Sequence, residues 1–203
     1  LDGIGCGLHG HSQPWSRIMN RFVKEQRGRR DAALWLENFR GPCTNVALGL
    51  GVMIHAFDFD DYHNAKVHPG APVIPAILTV GESVGASGRD ILTAMVAGYE
   101  TMIRVSLATG PNASRARGWH LTGTTGTFGA AAAAGRLLGF DGVQMSNALG
   151  LAGAQSSGLW AFTADGAMSK RFHAGRASQS GVMAAELVGK GFTGPTQILE
   201  AAD

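Results

Sequence analysis

Trp15, Ile18, Met19, Phe22 and Val23 recur at i, i+3, i+4, i+7 and i+8, the spacing that puts apolar side chains on one face of a helix. The pattern predicts a helix over about residues 14–27, closed by Gly28 with Arg29 and Arg30. Residues 33–42 read as an irregular or short extended connector ending at Gly41-Pro42. From Thr44 a second helix is expected, and Val46 to Phe57 is apolar on nearly every side, as for a helix at the centre of a bundle. Ser87 is placed to cap a third, in which Ile91, Leu92, Met95, Val96, Tyr99, Met102 and Ile103 keep the helical period. A loop with Pro111, Asn112 and Gly118 should follow, then a small-residue helix over about 123–138, then one over about 142–154 capped by Asp141. A further helix is predicted over 170–189, and Pro195 is positioned to open a last short one. No run alternates with period two, so the expected fold is all-α, a multi-helix bundle of about seven helices.

Composition narrows the picture. The chain has 203 residues, 45% apolar and 16% charged, with glycine and alanine 30 each and aromatics only 7%; close backbone packing must replace bulky side chains. A net charge of +2 is too small for a polyanion-binding surface, so no nucleic-acid partner is expected. The basic run Arg17, Arg21, Lys24, Arg27, Arg29 and Arg30 is interrupted by Glu25 and Asp31 and reads as a solvated helix face. Cys6 and Cys43 can build neither a disulfide framework nor a thiolate metal site, which fits a reducing compartment and a cytoplasmic location. The charge-free stretch Gly118 to Gly135 is too rich in Gly, Thr and Ala to insert into a bilayer, so no membrane partner is expected. The opening LDGIGCGLHG lacks the features of a signal peptide, and the chain reads as a section of something longer.

Three segments can carry chemistry. In residues 55–70, Asp58, Asp60, Asp61, His63 and His68 crowd the mouth of a buried helix, where carboxylates and imidazoles shift one another's proton affinity towards neutral pH. Such residues can also bind a divalent metal, but the spacing is not that of HExxH or an EF-hand loop, and no metal is expected. Asp58 or Asp60 could instead cap the helix after Pro69 or close a turn. In residues 118–135, the glycines suit close helix packing better than phosphate binding, while His120 at the loop-to-helix junction is placed to meet an anion. In residues 165–181, Lys170, Arg171, His173 and Arg176 mark the entry to a helix and suit a carboxylate-bearing substrate, or are simply solvated.

Taken in order, these segments resemble the MmgE/PrpD family: DFDD with HPG and Pro-Ala at 58–61, 68–70 and 75–76, then HxTGTxGxFGAAAA at 120–133, then KRFHAGRA and GFTGP at 170–177 and 191–195. The similarity runs over nearly the whole chain. It implies residues 1–203 as a helical domain lacking its extreme N-terminus and a C-terminal α/β lid, a homodimer, no cofactor, and a site for small di- and tricarboxylic acids. A mitochondrial matrix location is the alternative to the cytoplasm for a eukaryotic source. Carried across by motif, the catalytic positions fall on His120, His68, Lys170 and Asp58. Lys170, Arg171, His173, Tyr62 and His63 are expected to contact substrate. Tyr62 stands where decarboxylase relatives commonly have Thr, which turns the expectation towards a lyase like 2-methylcitrate dehydratase, with an iminodisuccinate-type epimerase and a cis-aconitate-type decarboxylase as alternatives. A dimerisation module without catalysis is the non-enzyme alternative. Without its lid, the domain alone is expected to be inactive.

Overall fold

A computed structural model describes residues 1–200 and contains, among them, nine α-helices and one two-stranded hairpin. The helices are α1 (Asp2–Gly10), α2 (Pro14–Glu25), α3 (Cys43–Ile54), α4 (Gly70–Val84), α5 (Gly88–Ala108), α6 (Pro111–Ala116), α7 (Leu121–Leu137), α8 (Gly142–Gly153) and α9 (Ser169–Val188). The all-α expectation holds. The connector is an antiparallel pair, β1 (Ala32–Leu34) and β2 (Phe39–Gly41), with Ala32 opposite Gly41.

Small residues decide how these helices meet. α7, buried along most of its length, is the central helix. A Cβ on Gly126 would come within 3.1 Å of the Ala177 Cβ on α9, and one on Gly129 within 2.8 Å of the Met102 Cβ on α5. At the crossing of α3 and α9, Gly51 and Gly175 face each other so closely that a Cβ on Gly51 would lie 2.6 Å from the Gly175 Cα. This approach sets the end of α3 against the start of α9, where Arg171 Nε donates to the Ala56 carbonyl at 3.0 Å. The capping boxes of Ser87 with Asp90 and of Asp141 with Gln144 fix the starts of α5 and α8.

Several expectations need correction. α1 and α6 were not anticipated, and Pro195 opens a turn rather than a helix: Gly194 N–H donates to Asn147 Oδ1 at 3.0 Å, which ties that segment to α8. α2 buries only part of its apolar stripe. Ser16, Asn20 and Val23 face inward, and Ile18 and Phe22 stay exposed, because Gly49 of α3 leaves room for the Asn20 side chain. Among the described helices, α5 has the length and mean hydropathy of a membrane span, although it packs along α7 and carries the Glu100–Arg104 ion pair. Cys6 and Cys43 are free and buried, and burial pushes the Cys43 thiol up to about 11.

Candidate functional site

A cavity of about 220 Å³ opens where the segment after α3 meets the starts of α7 and α9; its walls include Asp58, Tyr62, His68, His120, Trp160 and Lys170. That is below the roughly 300–1,000 Å³ of drug-sized pockets and suits a small molecule. Asp58 adopts a left-handed backbone, φ +63°, which Asp tolerates better than most residues. From there its carboxylate bonds the Lys170 ammonium through Oδ2, and its Oδ1 lies 3.2 Å from His68 Nε2. Lys170 is 112 positions away in sequence, so the crossing of α3 and α9 is what makes this pair.

Local hydrogen bonds shape the rest of the segment. His63 N–H donates to the Val67 carbonyl at 2.9 Å, and His63 Nδ1 accepts from the Ala65 N–H at 3.1 Å. His63 therefore builds a tight turn and does not line the cavity, contrary to the substrate-contact expectation. The helix cap assigned to Asp58 or Asp60 falls on Asp61, whose two oxygens accept from Gly70 N–H at 3.0 and 3.1 Å. A Cβ at Gly70 would collide with the Asp61 carboxylate and displace it from this bond.

His120 precedes α7 with an extended backbone, and its N–H donates to the Gly158 carbonyl at 3.0 Å. That pairing of Trp119 with Leu159 brings Trp160 and Phe162 edge-on to the imidazole, at 5.4 and 5.3 Å between ring centres. The His120 ring is 2% exposed, with Nδ1 3.0 Å from His173 Nδ1. His173 is thus a partner behind His120 and not a wall of the cavity. Arg171 is also absent from the walls: its guanidinium lies 4.2 Å over the Trp15 ring on the other side of the helix start.

The fold also brings residues here that no motif marks. Lys66 and Arg115 line the cavity, Arg115 with its guanidinium 4.2 Å over Trp160, and among the described residues neither is in an ion pair. Thr122 Oγ1 accepts from His68 N–H at 3.2 Å, joining the two halves of the site. His55, last residue before the polar segment, is 1% exposed and bonds Asp60. A basic residue five positions before His120 was a visible signal for Arg115; no sequence signal distinguishes His55 from an ordinary helix end.

Burial controls the electrostatics. Desolvation, reinforced by His55, His173, Lys170 and His68, lowers the His120 imidazole to about 2. Desolvation also lowers His68, against the opposing pull of Asp60 and Asp58, and lowers His173. Asp58 is different: burial opposes its ionisation, but the Lys170 hydrogen bond and charge, with His55 and His68, outweigh burial and hold it below the usual carboxylate range. The cavity at neutral pH therefore presents neutral imidazoles, one ionised carboxylate and three cationic side chains. His55, Asp58 and His68 bring potential donor atoms within 4.8 Å of one another, a spacing that would admit a divalent cation. The Lys170 ammonium already sits on that carboxylate, which gives the trio a cation of its own.

A family model described as the MmgE/PrpD N-terminal domain matches residues 1–203. The chain belongs to the MmgE/PrpD family. It is 33% identical to the cis-aconitate decarboxylase-like protein oryM of Aspergillus oryzae over 98% of this chain and 43% of that protein. Cis-aconitate decarboxylases of Homo sapiens and Aspergillus terreus are each 29% identical over 98% of this chain and 42% of their own length. The chain thus spans about two fifths of the length of these MmgE/PrpD relatives.

Proposed function

We propose that this chain supplies the acid–base half of a lyase site for a small di- or tricarboxylic acid, working without a metal or organic cofactor. The observation that carries this reading is the meeting of two neutral imidazoles, His68 and His120, with Lys66, Arg115 and Lys170 in one small cavity. Cations hold the carboxylates of the acid and damp the charge that develops when a proton leaves the adjacent carbon. With His120 Nδ1 as the donor to His173 Nδ1, its Nε2 is the nitrogen that serves as the base. An imidazole held so low is a weak base in the empty site; the negative charge of a bound acid raises its proton affinity. Lys170, on Asp58, is the cation best placed to give a proton to a leaving hydroxyl or to carbon.

Two reactions follow from this equipment. Water loss from a hydroxy acid such as 2-methylcitrate is supported by Tyr62, which lines the cavity 5.3 Å from the His68 ring where a decarboxylase would have Thr. Loss of CO₂ from cis-aconitate is supported by the names of the relatives. The apolar Leu92 and Val96 left exposed on α5, with Ile18 and Phe22 on α2, support assembly with a second copy. NMR of the intact protein with 2-methylcitrate, cis-aconitate and iminodisuccinate separates the outcomes: an alkene with water lost supports the first reaction, CO₂ release the second. Epimerisation alone contradicts a lyase, and no reaction with any of the three contradicts the proposal.

A further inference from the structure

His55 and Asp60 lie directly behind the cavity wall, and both side chains have zero exposure. His55 Nδ1 is 3.0 and 3.1 Å from the two oxygens of Asp60. A carboxylate oxygen accepts, so His55 Nδ1 is the donor to Asp60 and Nε2 points away from it. That Nε2 is buried and has no hydrogen-bond partner among the described residues; it lies 3.8 Å from Asp58 Oδ1. Asp60 reaches further: its backbone carbonyl accepts from His68 Nδ1 at 3.3 Å, and its Oδ1 is 3.6 Å from the same nitrogen. The His55 ring meets His68 edge-on at 4.8 Å and stacks on His120 at 6.1 Å.

We propose that His55, oriented by Asp60, is a positioning residue that fixes the proton-bearing nitrogen of His68 and the placement of Asp58 between His68 and Lys170. The geometry gives the reason. Asp60 takes the Nδ1–H of both rings, so two Nε2 atoms converge on one oxygen of Asp58, an arrangement of three acceptors ready for the proton that substrate gives up. A proton on His68 Nε2 pairs with Asp58 at 3.2 Å and leaves its other oxygen for Lys170, while His55 Nε2 stands off at 3.8 Å. His55 thus gives the array a second, water-excluded seat for the proton that His68 exchanges with substrate. The groups facing His68 are His55 at the end of α3, Asp58, Asp60 and Tyr62 on the following segment, His120 before α7 and Lys170 on α9.

The catalytic consequence rests on the acid–base reading of the cavity, but the positioning itself is visible without turnover. Long-range ¹H–¹⁵N spectra of the intact, histidine-labelled protein should show His55 as the Nδ1–H tautomer. His55→Asn keeps a donor for Asp60 and removes Nε2, the competing seat for the proton, so the His68 midpoint should rise by about one pH unit. Asp60→Asn removes an attractive charge, so the same midpoint should fall. If His55→Asn does not fold, the Asp60→Asn direction still decides. A purely structural pair would not move the midpoint in opposite senses. On whichever acid the protein consumes, the kcat pH profile should move with the midpoint while KM stays within about threefold. An unmoved His68 midpoint in the folded variants overturns the proposal, as does stoichiometric Zn²⁺ shifting His55 and His68 to metal-bound resonances. If none of the tested acids is consumed, the acid–base reading fails while the tautomer and the two midpoints still judge the positioning.

Discussion

His120 and His173 touch through Nδ1 atoms 3.0 Å apart, so one ring must donate to the other and only Nε2 of His120 is left to face a ligand. The contact spans 53 residues and depends on Gly123, where a Cβ would lie 3.0 Å from the His173 Cβ. Burial keeps both imidazoles neutral at working pH. The proposed base, His120, thus has one nitrogen engaged with His173.

Replacing that base should slow chemistry more than binding. His120→Gln is expected to lower kcat by about 10²-fold or more with KM changed little, since positioned acid–base groups contribute that much. Steady-state kinetics on the intact protein check it, and an unchanged kcat would make His120 a structural residue.

The same lowered imidazoles make stability depend on pH. In the unfolded chain His68, His120 and His173 take up protons near pH 6.5, whereas in the fold they resist protonation, so the unfolded state binds more protons as pH falls. Stability should be full above about pH 7 and decline as pH drops below about 6.5, by about 1.4 kcal/mol per pH unit for His120 alone. Denaturant unfolding from pH 7.5 to 5 reads this, and His120→Gln should flatten the slope. Equal slopes in the two proteins would contradict the burial argument.

The crossing of α3 and α9 joins His55 to Lys170, and it depends on Gly175. A Cβ there would collide with the Leu48 carbonyl and lie 2.9 Å from Val52 Cγ2. Gly175→Ala should cost about 1–3 kcal/mol and lower activity as the helices separate, by the usual penalty of overpacking. Gly142→Ala, where a Cβ meets nothing within 4 Å, is the matched control and should leave both unchanged. Thermal unfolding and kcat of the two variants distinguish a required close approach from a tolerant one.

Much of this arrangement can be read from the residues in order. Period and caps give α5 and α8, and the HxTGT motif places His120 at the start of α7. What could not be read is held by packing between distant segments. α1 contains Gly3, Gly5, Gly7 and Gly10, a poor helix former by propensity, yet it forms because its glycines let it lie on Ile74, Trp35 and the Met53 carbonyl. α2 buries Asn20 and exposes Phe22 because its neighbour is Gly49. At the site, DFDD and KRFHAGRA announce Asp58 and Lys170, but only the fold shows that Asp61 caps α4, that His63 makes a turn, and that Arg171 points away to Trp15.

The Asp58–Lys170 pair makes a further claim about metals. Because an ammonium occupies the carboxylate, turnover should survive exhaustive chelation with less than about twofold change. Loss of activity with EDTA and its recovery on adding a divalent ion would show that His55, Asp58 and His68 bind a cation in the working protein.

Proton transfer at carbon tests the account most directly. The intact protein is incubated in D₂O with the acid it consumes until product and recovered acid have equilibrated, and both are examined by NMR for deuterium bonded to carbon. Removal and return of a proton by the His68 and His120 pair predicts solvent deuterium beside a carboxylate in the product or the recovered acid, at a rate lowered about 10²-fold in His120→Gln. Conversion with no deuterium on carbon in either, or an undiminished rate in the variant, would contradict it.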